Sequence, residues 1–522
     1  MKILLVGEFS GISTGYGKIT KELAQRLHND GYEVAELATF CHKDDPKIKN
    51  IPWKIYPNLP STEEEDREYR SNPQNSNGKW KFEETLLDFK PDCVFGNGDP
   101  FFYEYQYHSP FRNNFNWVIA APIDGIPQHN QWIQIFDNAD GLMTYTDWGK
   151  KVLEDYGLKV DGVFSPVASN EYFPIPQVEI DKFKKLFGVE NKKIIGTVMR
   201  NQPRKLFDCL FQSFSEYLQR NKDIFLYCHT TYPDAGWDFA ELLIKHKIIH
   251  RVLFTYKCGL CKQSYPAYFQ DLRSTCPFCK QLAGKMPDGQ DGVDNQTLNK
   301  VINLFDVYVQ LASREGLGIP QVEACSCDIP VITINYAGMT DIAEKIGIGI
   351  EPKDFYLSYP MNMMEAIPDR DKLITAIDSV INTPKTGENI KKYEKHYGSW
   401  DKSYSIFLNI VKSLPKKTWN KIEINPPPRY IESGVSNEEY VKFLILNVLQ
   451  EPELIGSYLM TRLINDLNSG ITFGGICGNY FTESMEQRNY IPFDRKQAYD
   501  VCLNRKGFND YWKNELNTKS NG

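Results

Sequence analysis

The chain has 522 residues, enough for two to four domains at the usual ~100–200 residues each. Apolar residues make up 41% and charged residues 24%, ordinary globular usage that excludes a disordered or coiled-coil chain. With 67 acidic against 60 basic residues the net charge is −7, so the average surface does not attract polyanions and any nucleic-acid contact must be local.

Short apolar runs alternate with amphipathic stretches along most of the chain, the signature of parallel sheets covered by helices. Residues 3–6 predict a buried strand, and glycines 7, 11, 15 and 17 loosen the backbone before a helix over 18–29. Further strands are expected at 33–37, 92–95, 117–121 and 141–145, with residues 60–80 a solvated loop or short helix. Three prolines in residues 165–176 mark an extended connector. A second series follows, with strands at 194–199, 224–228, 251–256, 307–311 and 331–334 and helices at 206–220, 239–245, 296–305 and 319–325. A helix over 404–414 and a Pro426-Pro427-Pro428 break precede a tail with no chemical reading. No run of about 18 apolar residues appears, so no membrane-spanning helix is expected. Twelve scattered cysteines without an export signal point to a reducing, cytoplasmic setting.

Four constellations carry chemistry. The turn G-E-F-S-G-I-S-T-G-Y-G follows the first strand, and Gly15 and Gly17 there either let backbone approach a ligand or simply shape the turn. The segment R-N-Q-P-R-K places Arg200, Arg204 and Lys205 between a strand and a helix start, where cations and orphan amides favour the same diphosphate. In S-R-E-G-L-G-I-P-Q-V-E, Glu315 sits on a glycine turn and Glu323 about one turn into a helix, each able to accept hydroxyl hydrogen bonds from a sugar or ribose. Finally Cys258-x2-Cys261 and Cys276-x2-Cys279 have the spacing of a four-thiolate zinc ribbon; four Cys ligands leave no open position, so a structural Zn2+ is expected.

Together the E-x7-E element, the following A-C-S-C-D-I-P-V-I-T and Y-A-G-M-T-D, the R-N-Q-P-R-K loop, the connector E-Y-F-P and the Ser399-Trp400 pair resemble retaining family-4 glycosyltransferases of GT-B fold, over about residues 1–415. The resemblance implies an α/β protein of two Rossmann-like doubly wound domains facing a cleft: an acceptor domain over 1–168 and a nucleotide-sugar domain over 177–400. A ribbon insertion over 257–281, a crossover helix over 401–425 and a carboxy-terminal extension over 426–522 complete it. A nucleotide-sugar donor is then expected, with Arg200 and Lys205 neutralising the leaving diphosphate in place of a catalytic metal. Glu315 would hold donor-sugar hydroxyls, Glu323 the ribose, and the amides of Gly316, Leu317, Gly318 and Ile319 phosphate or sugar oxygens.

One departure concerns the acceptor. Where many relatives carry a histidine, this chain reads A-P-I-D-G-I-P-Q-H, so either Asp124 or the nearby His129 would serve the acceptor. That acceptor is a saccharide or other small hydroxyl compound, or else a hydroxylated base in nucleic acid. The second choice draws on the ribbon region, where residues 245–285 hold eight Lys and Arg against Asp271 alone, with aromatic side chains between them. A GT-B binding protein without turnover is the reading from a different class.

Overall fold

The computed structural model describes residues 1–419, 436–443, 445–446 and 452–469. Met1–Ile422 form one compact unit and Glu423–Gly522 another. The first unit contains two large sheets, each the centre of a lobe, the first all parallel and the second parallel except for antiparallel strands at one edge; Asp354–Ser358 and Met363–Ile367 form a small antiparallel pair.

In the first lobe the strand order is Lys54–Pro57, Glu33–Thr39, Lys2–Glu8, Cys93–Asn97, Asn116–Ala121, Gly141–Thr144, Gly162–Val163. All neighbours are parallel. Residues 3–7 are buried throughout, which is why the opening of the chain is a continuous apolar run and not an alternating one. Strand order reverses between Lys2–Glu8 and Cys93–Asn97, and a crevice opens beyond the carboxyl ends of such a pair. The second lobe repeats the device: its reversal lies between Lys193–Val198 and Val307–Gln310, with Ile224–His229 and Val252–Cys258 on one side and Val331–Ile334 and Ile348–Ile350 on the other.

Several element boundaries differ from the sequence expectation for local reasons. The first helix starts at Gly15, three residues early, because the Thr14 hydroxyl accepts from the Gly17 amide at 3.1 Å and caps it there. Residues 60–80 hold the helix Glu63–Ser71 and the start of another, Lys79–Phe89, and the short edge strand Lys54–Pro57 was not anticipated. The helix expected at 404–414 begins at Trp400, capped by Ser399. It lies against the first lobe: Phe407 meets Phe95 edge-on at 5.1 Å, and Gly141 and Gly162 leave room for Ile410 and Ile406.

The lobes touch through specific pairs. Asp341 of the second lobe accepts from the Asp147 and Trp148 amides, 3.0 Å each, and so caps a first-lobe helix. Gly316 meets Pro122 so closely that a Cβ would lie 2.6 Å from the proline ring. In the second unit, helices Asn437–Phe443 and Tyr458–Asn468 pack through Val441, Met460 and Leu463, with an Asn437–Asn468 hydrogen bond of 2.8 Å. Most of the 426–522 extension lies outside the described residues.

Candidate active site

The cationic loop is built first by its own backbone. After the strand Lys193–Val198, Asn201 exchanges two 2.8 Å hydrogen bonds with the Trp237 backbone, a short 3₁₀ turn spans Pro203–Lys205, and Leu206 takes a positive φ of 26° before the helix Phe207–Arg220. Lys205 is thereby turned inward, 6% exposed, into contact with Glu315 Oε1, while Arg204 Nη1 stands 3.1 Å from Glu315 Oε2. Burial first, and the Arg204 and Arg314 charges with it, push the Lys205 ammonium well below its ordinary range, with Asp124 opposing. Arg200 is more exposed and forms a bidentate pair with Asp234, at 2.7 and 3.0 Å, that its sequence neighbours did not reveal.

Glu323 lies on the helix Ile319–Ser326, which follows Gly318 at φ +83° and carries Pro320 in its first turn. Its side chain is 1% exposed. One oxygen, Oε1, accepts from Lys18 Nζ of the first lobe at 2.6 Å, and Lys18 is itself placed by the Tyr172 hydroxyl at 2.8 Å. The other, Oε2, is buried without a hydrogen-bond partner, a costly state for a carboxylate oxygen that a ligand hydroxyl would relieve.

The first lobe contributes acids from the carboxyl ends of its strands: Glu8, Asp99 and Asp124. Glu8 accepts from the Thr14 hydroxyl, and burial raises its carboxyl. Asp99, 3.5 Å from the Tyr16 hydroxyl, is pushed up to about 7 by burial and by the Asp124 charge, against the pull of Arg204 and Arg314. Asp124 pairs across the crevice with Arg314, whose Nε also reaches Glu365 Oε1 at 3.2 Å.

These groups surround one cavity of about 400 Å³ between the lobes. Gly15, Asp124, Arg200, Arg204, Lys205, Glu315, Gly316, Leu317, Gly318, Ile319 and Glu323 all line it. Two expected residues do not. Gly17 is a packing glycine, since a Cβ there would lie 2.7 Å from the Ile12 carbonyl oxygen and 2.9 Å from that of Phe9. His129 turns away, with Nε2 2.5 Å from the Met361 carbonyl oxygen and the ring edge-on to Trp132 at 4.3 Å. Residues not anticipated also line the cavity, among them Glu8, Lys18, Asp99 and Asp288. His229 does too, bonded through Nδ1 to the Thr255 hydroxyl at 3.0 Å and lowered to about 4 by burial and the Lys18 charge.

Residues 291–397 match the family model of glycosyl transferases group 1. That stretch includes Glu315 and Glu323 but not the cationic loop or Cys258, Cys261, Cys276 and Cys279. The chain is similar in structure to sucrose-phosphate synthase from Thermosynechococcus elongatus, with a TM-score of 0.55 at 14% identity over 79% of this chain and 98% of that one. It is equally similar to HepE from Anabaena in complex with UDP and glucose, at 0.55 and 15% identity over 79% of this chain and all of that one. A glycosyltransferase from Rickettsia africae gives 0.54 at 14% identity, covering 79% and 97%. No curated protein matches the sequence significantly. The architecture is GT-B: two facing α/β lobes with parallel sheets and a cavity between them.

On this GT-B frame the cysteines form a separate centre. The strand Val252–Cys258 runs out of the second sheet into it, and Ser264–Tyr268 and Leu282–Lys285 pair back onto that strand. All four Sγ atoms lie within 4.8 Å of one another, with Cys258–Cys279 and Cys261–Cys276 each at 3.6 Å. A tetrahedron with metal–sulfur bonds of about 2.3 Å has edges of roughly 3.8 Å, so the donor set fits a four-coordinate thiophilic ion. The two knuckles, C-G-L-C-K-Q and C-P-F-C-K-Q, fold alike: the Lys262 and Lys280 amides donate to the Cys258 and Cys276 carbonyls at 3.0 Å, and both lysines take φ near +60° (62° and 61°).

The cations around this centre are less free than their sequence suggests. Lys245 pairs with Asp208, Lys257 with Asp291, and Lys285 with Asp288 and Asp291, all acids lying outside the 245–285 window. Arg251 donates to the Lys222 carbonyl. No described helix is long and apolar enough to cross a membrane.

Proposed function

We propose that the chain is a retaining glycosyltransferase that moves a sugar from a nucleotide-sugar donor to an acceptor hydroxyl. The observation that carries this reading is the meeting of Arg204, Lys205, Glu315 and the half-satisfied Glu323 on one cavity wall, within reach of a helix amino terminus. The diphosphate would lie along Lys205 and Arg204, with Arg200 at its outer end, so that fixed cations stabilise the charge that builds as the glycosidic bond breaks. Because those cations perform the neutralisation, the reading requires no catalytic metal. Glu315 would release part of its grip on Lys205 to hold sugar hydroxyls, and Glu323 Oε2 would accept from a ribose hydroxyl. The group 1 match over Glu315 and Glu323, and a fold shared with a protein described in complex with UDP-glucose, support the donor class.

The acceptor would enter against Asp99 and Asp124. Asp99 replaces His129 in this reading, because the histidine is turned toward Met361. A saccharide or other neutral polyol suits that acidic wall better than a phosphodiester chain, and the pairing of Lys245, Lys257 and Lys285 with acids removes much of the argument for nucleic acid. The four cysteines would hold a structural Zn2+. Intact-mass measurement of polyol acceptors after incubation with a panel of nucleotide sugars, followed by NMR assignment of the anomer, tests the reading. Addition of one hexose or pentose with the donor's configuration is expected; an inverted anomer, or no transfer and no donor hydrolysis from any of the panel, overturns it.

A further inference from the structure

The cysteine centre and the cavity are joined by a short stretch of chain. Lys285, the last residue of the ribbon strand Leu282–Lys285, pairs with Lys257 in the sheet, and two residues later Pro287 begins the segment whose Pro287, Asp288, Gly289, Gly292 and Val293 line the cavity. Two lysines tether this segment from the ribbon side. Lys257 Nζ, on the residue before the first metal-ligating cysteine, donates to Asp291 Oδ1 at 2.7 Å and to the Gly292 carbonyl at 2.6 Å. Lys285 Nζ reaches Asp288 Oδ2 at 3.2 Å, and Asp288 Oδ1 in turn accepts from the Gln290 and Asp291 amides at 2.9 and 2.7 Å. The opposite edge of the segment meets the first lobe. A Cβ on Gly289 would stand 3.2 Å from Thr14 and one on Gly292 2.8 Å from Ser13.

We propose that metal binding at Cys258, Cys261, Cys276 and Cys279 fixes the Pro287–Val293 wall of the cavity, so that nucleotide affinity depends on an ion that never touches the nucleotide. The inference rests on reading the cysteines as a metal site and the cavity as the donor site. Without the metal, each knuckle keeps its backbone turn and Lys257 keeps its sheet pairing with Lys285, but the side chains that join the two knuckles are reduced to thiol contacts, and the end of the strand Val252–Cys258 loses the cross-link that steadies both lysines. The two ribbon-side lysine tethers of the wall then loosen together, leaving the Thr231 hydroxyl on the Pro287 carbonyl at 2.9 Å and the longer Lys47 and Phe40 contacts of Gln290, 3.4 Å each. Its ligand dependence differs from that of a Lewis acid, since any ion that accepts four thiolates in a tetrahedron serves equally.

The test uses the full chain. Zinc per chain is measured by elemental analysis, and affinities for UDP, GDP, ADP and CDP by calorimetry on metal-loaded protein, on protein stripped with a chelator under reducing conditions, and on stripped protein reloaded with Zn2+ or Cd2+. About one zinc per chain is expected, with the tightest of the four nucleotides weakened at least tenfold on stripping and restored alike by either ion. Unchanged affinity in a stripped protein that keeps its far-ultraviolet circular dichroism overturns the inference while leaving the metal site standing. A chain that holds no metal removes both. Should none of the four nucleotides bind the loaded protein, the donor reading falls and the inference with it. Where stripping unfolds the chain, Lys257→Met decides: it keeps all four cysteines, and a three- to tenfold weaker nucleotide affinity at full zinc content is expected, whereas wild-type affinity in this variant refutes the coupling.

Discussion

The two walls of the cavity are built alike and charged differently. Both rise from the carboxyl ends of parallel strands at a reversal of strand order, yet the second lobe presents Arg200, Arg204 and Lys205 beside the acids Asp288, Glu315 and Glu323, while the first presents Glu8, Asp99 and Asp124 with Lys18. Equivalent places in two copies of one architecture thus carry different sets of charges, and the fold alone assigns neither. On the proposed reading, the cations of the second lobe would hold a leaving diphosphate. The acidic wall suits hydroxyl donors and repels a second anion.

The sharpest way to break this comparison is to remove the buried cation. Lys205→Ala is expected to lower kcat by roughly 10²–10³, as loss of one preorganised charge-stabilising group does, with a much smaller change in KM; an unchanged kcat would place the diphosphate elsewhere. Next in size is the wedge Gly316→Ala, whose Cβ must push Pro122 away and part the walls. Overpacking of this kind costs about 1–3 kcal/mol, so a lower thermal midpoint together with weakened nucleotide binding is expected. Glu323→Gln should weaken nucleotide affinity about tenfold by calorimetry, since it removes the charge from both the Lys18 pair and the orphan oxygen.

A pH experiment tests the acidic wall. Asp99 holds its proton to about 7, against an ordinary carboxyl value of 3.8, so between those values the folded chain binds a proton that the unfolded chain has lost. Stability contributed by this site therefore falls as pH rises from about 4 to about 7. Asp99→Asn should remove that loss, raising the thermal midpoint relative to wild type by about 2 °C at pH 8 and by less at pH 5; the reverse order would contradict the assignment. Arg200→Ala should have the smallest effect, a few-fold rise in KM, because its guanidinium is largely exposed and already engaged with Asp234.

The same contrast explains what could be read from the chain. The cationic loop, the acid pair and the cysteine knuckles are each contiguous in sequence, so spacing and residue type sufficed to single them out. Lys18, Asp99 and Asp234 gain their meaning only from partners far along the chain: 305 positions separate Lys18 from Glu323. Gly15 and Gly17 looked alike as turn residues, and only packing separates the one facing the cavity from the one pressed against Phe9 and Ile12. The eight basic residues around the ribbon carry less free charge than their count implies for a related reason, since the acids that pair with three of them lie outside the window in which they were counted.

Arg314 is the immediate chain neighbour of Glu315, and it is gripped by Asp124 from the opposite lobe and by Glu365 from its own. The backbone link couples the pair: widening the mouth between the lobes would part the guanidinium from Asp124 and shift the adjoining carboxylate relative to Lys205. Gaping of the mouth and displacement of the Glu315 carboxylate are thus a single event.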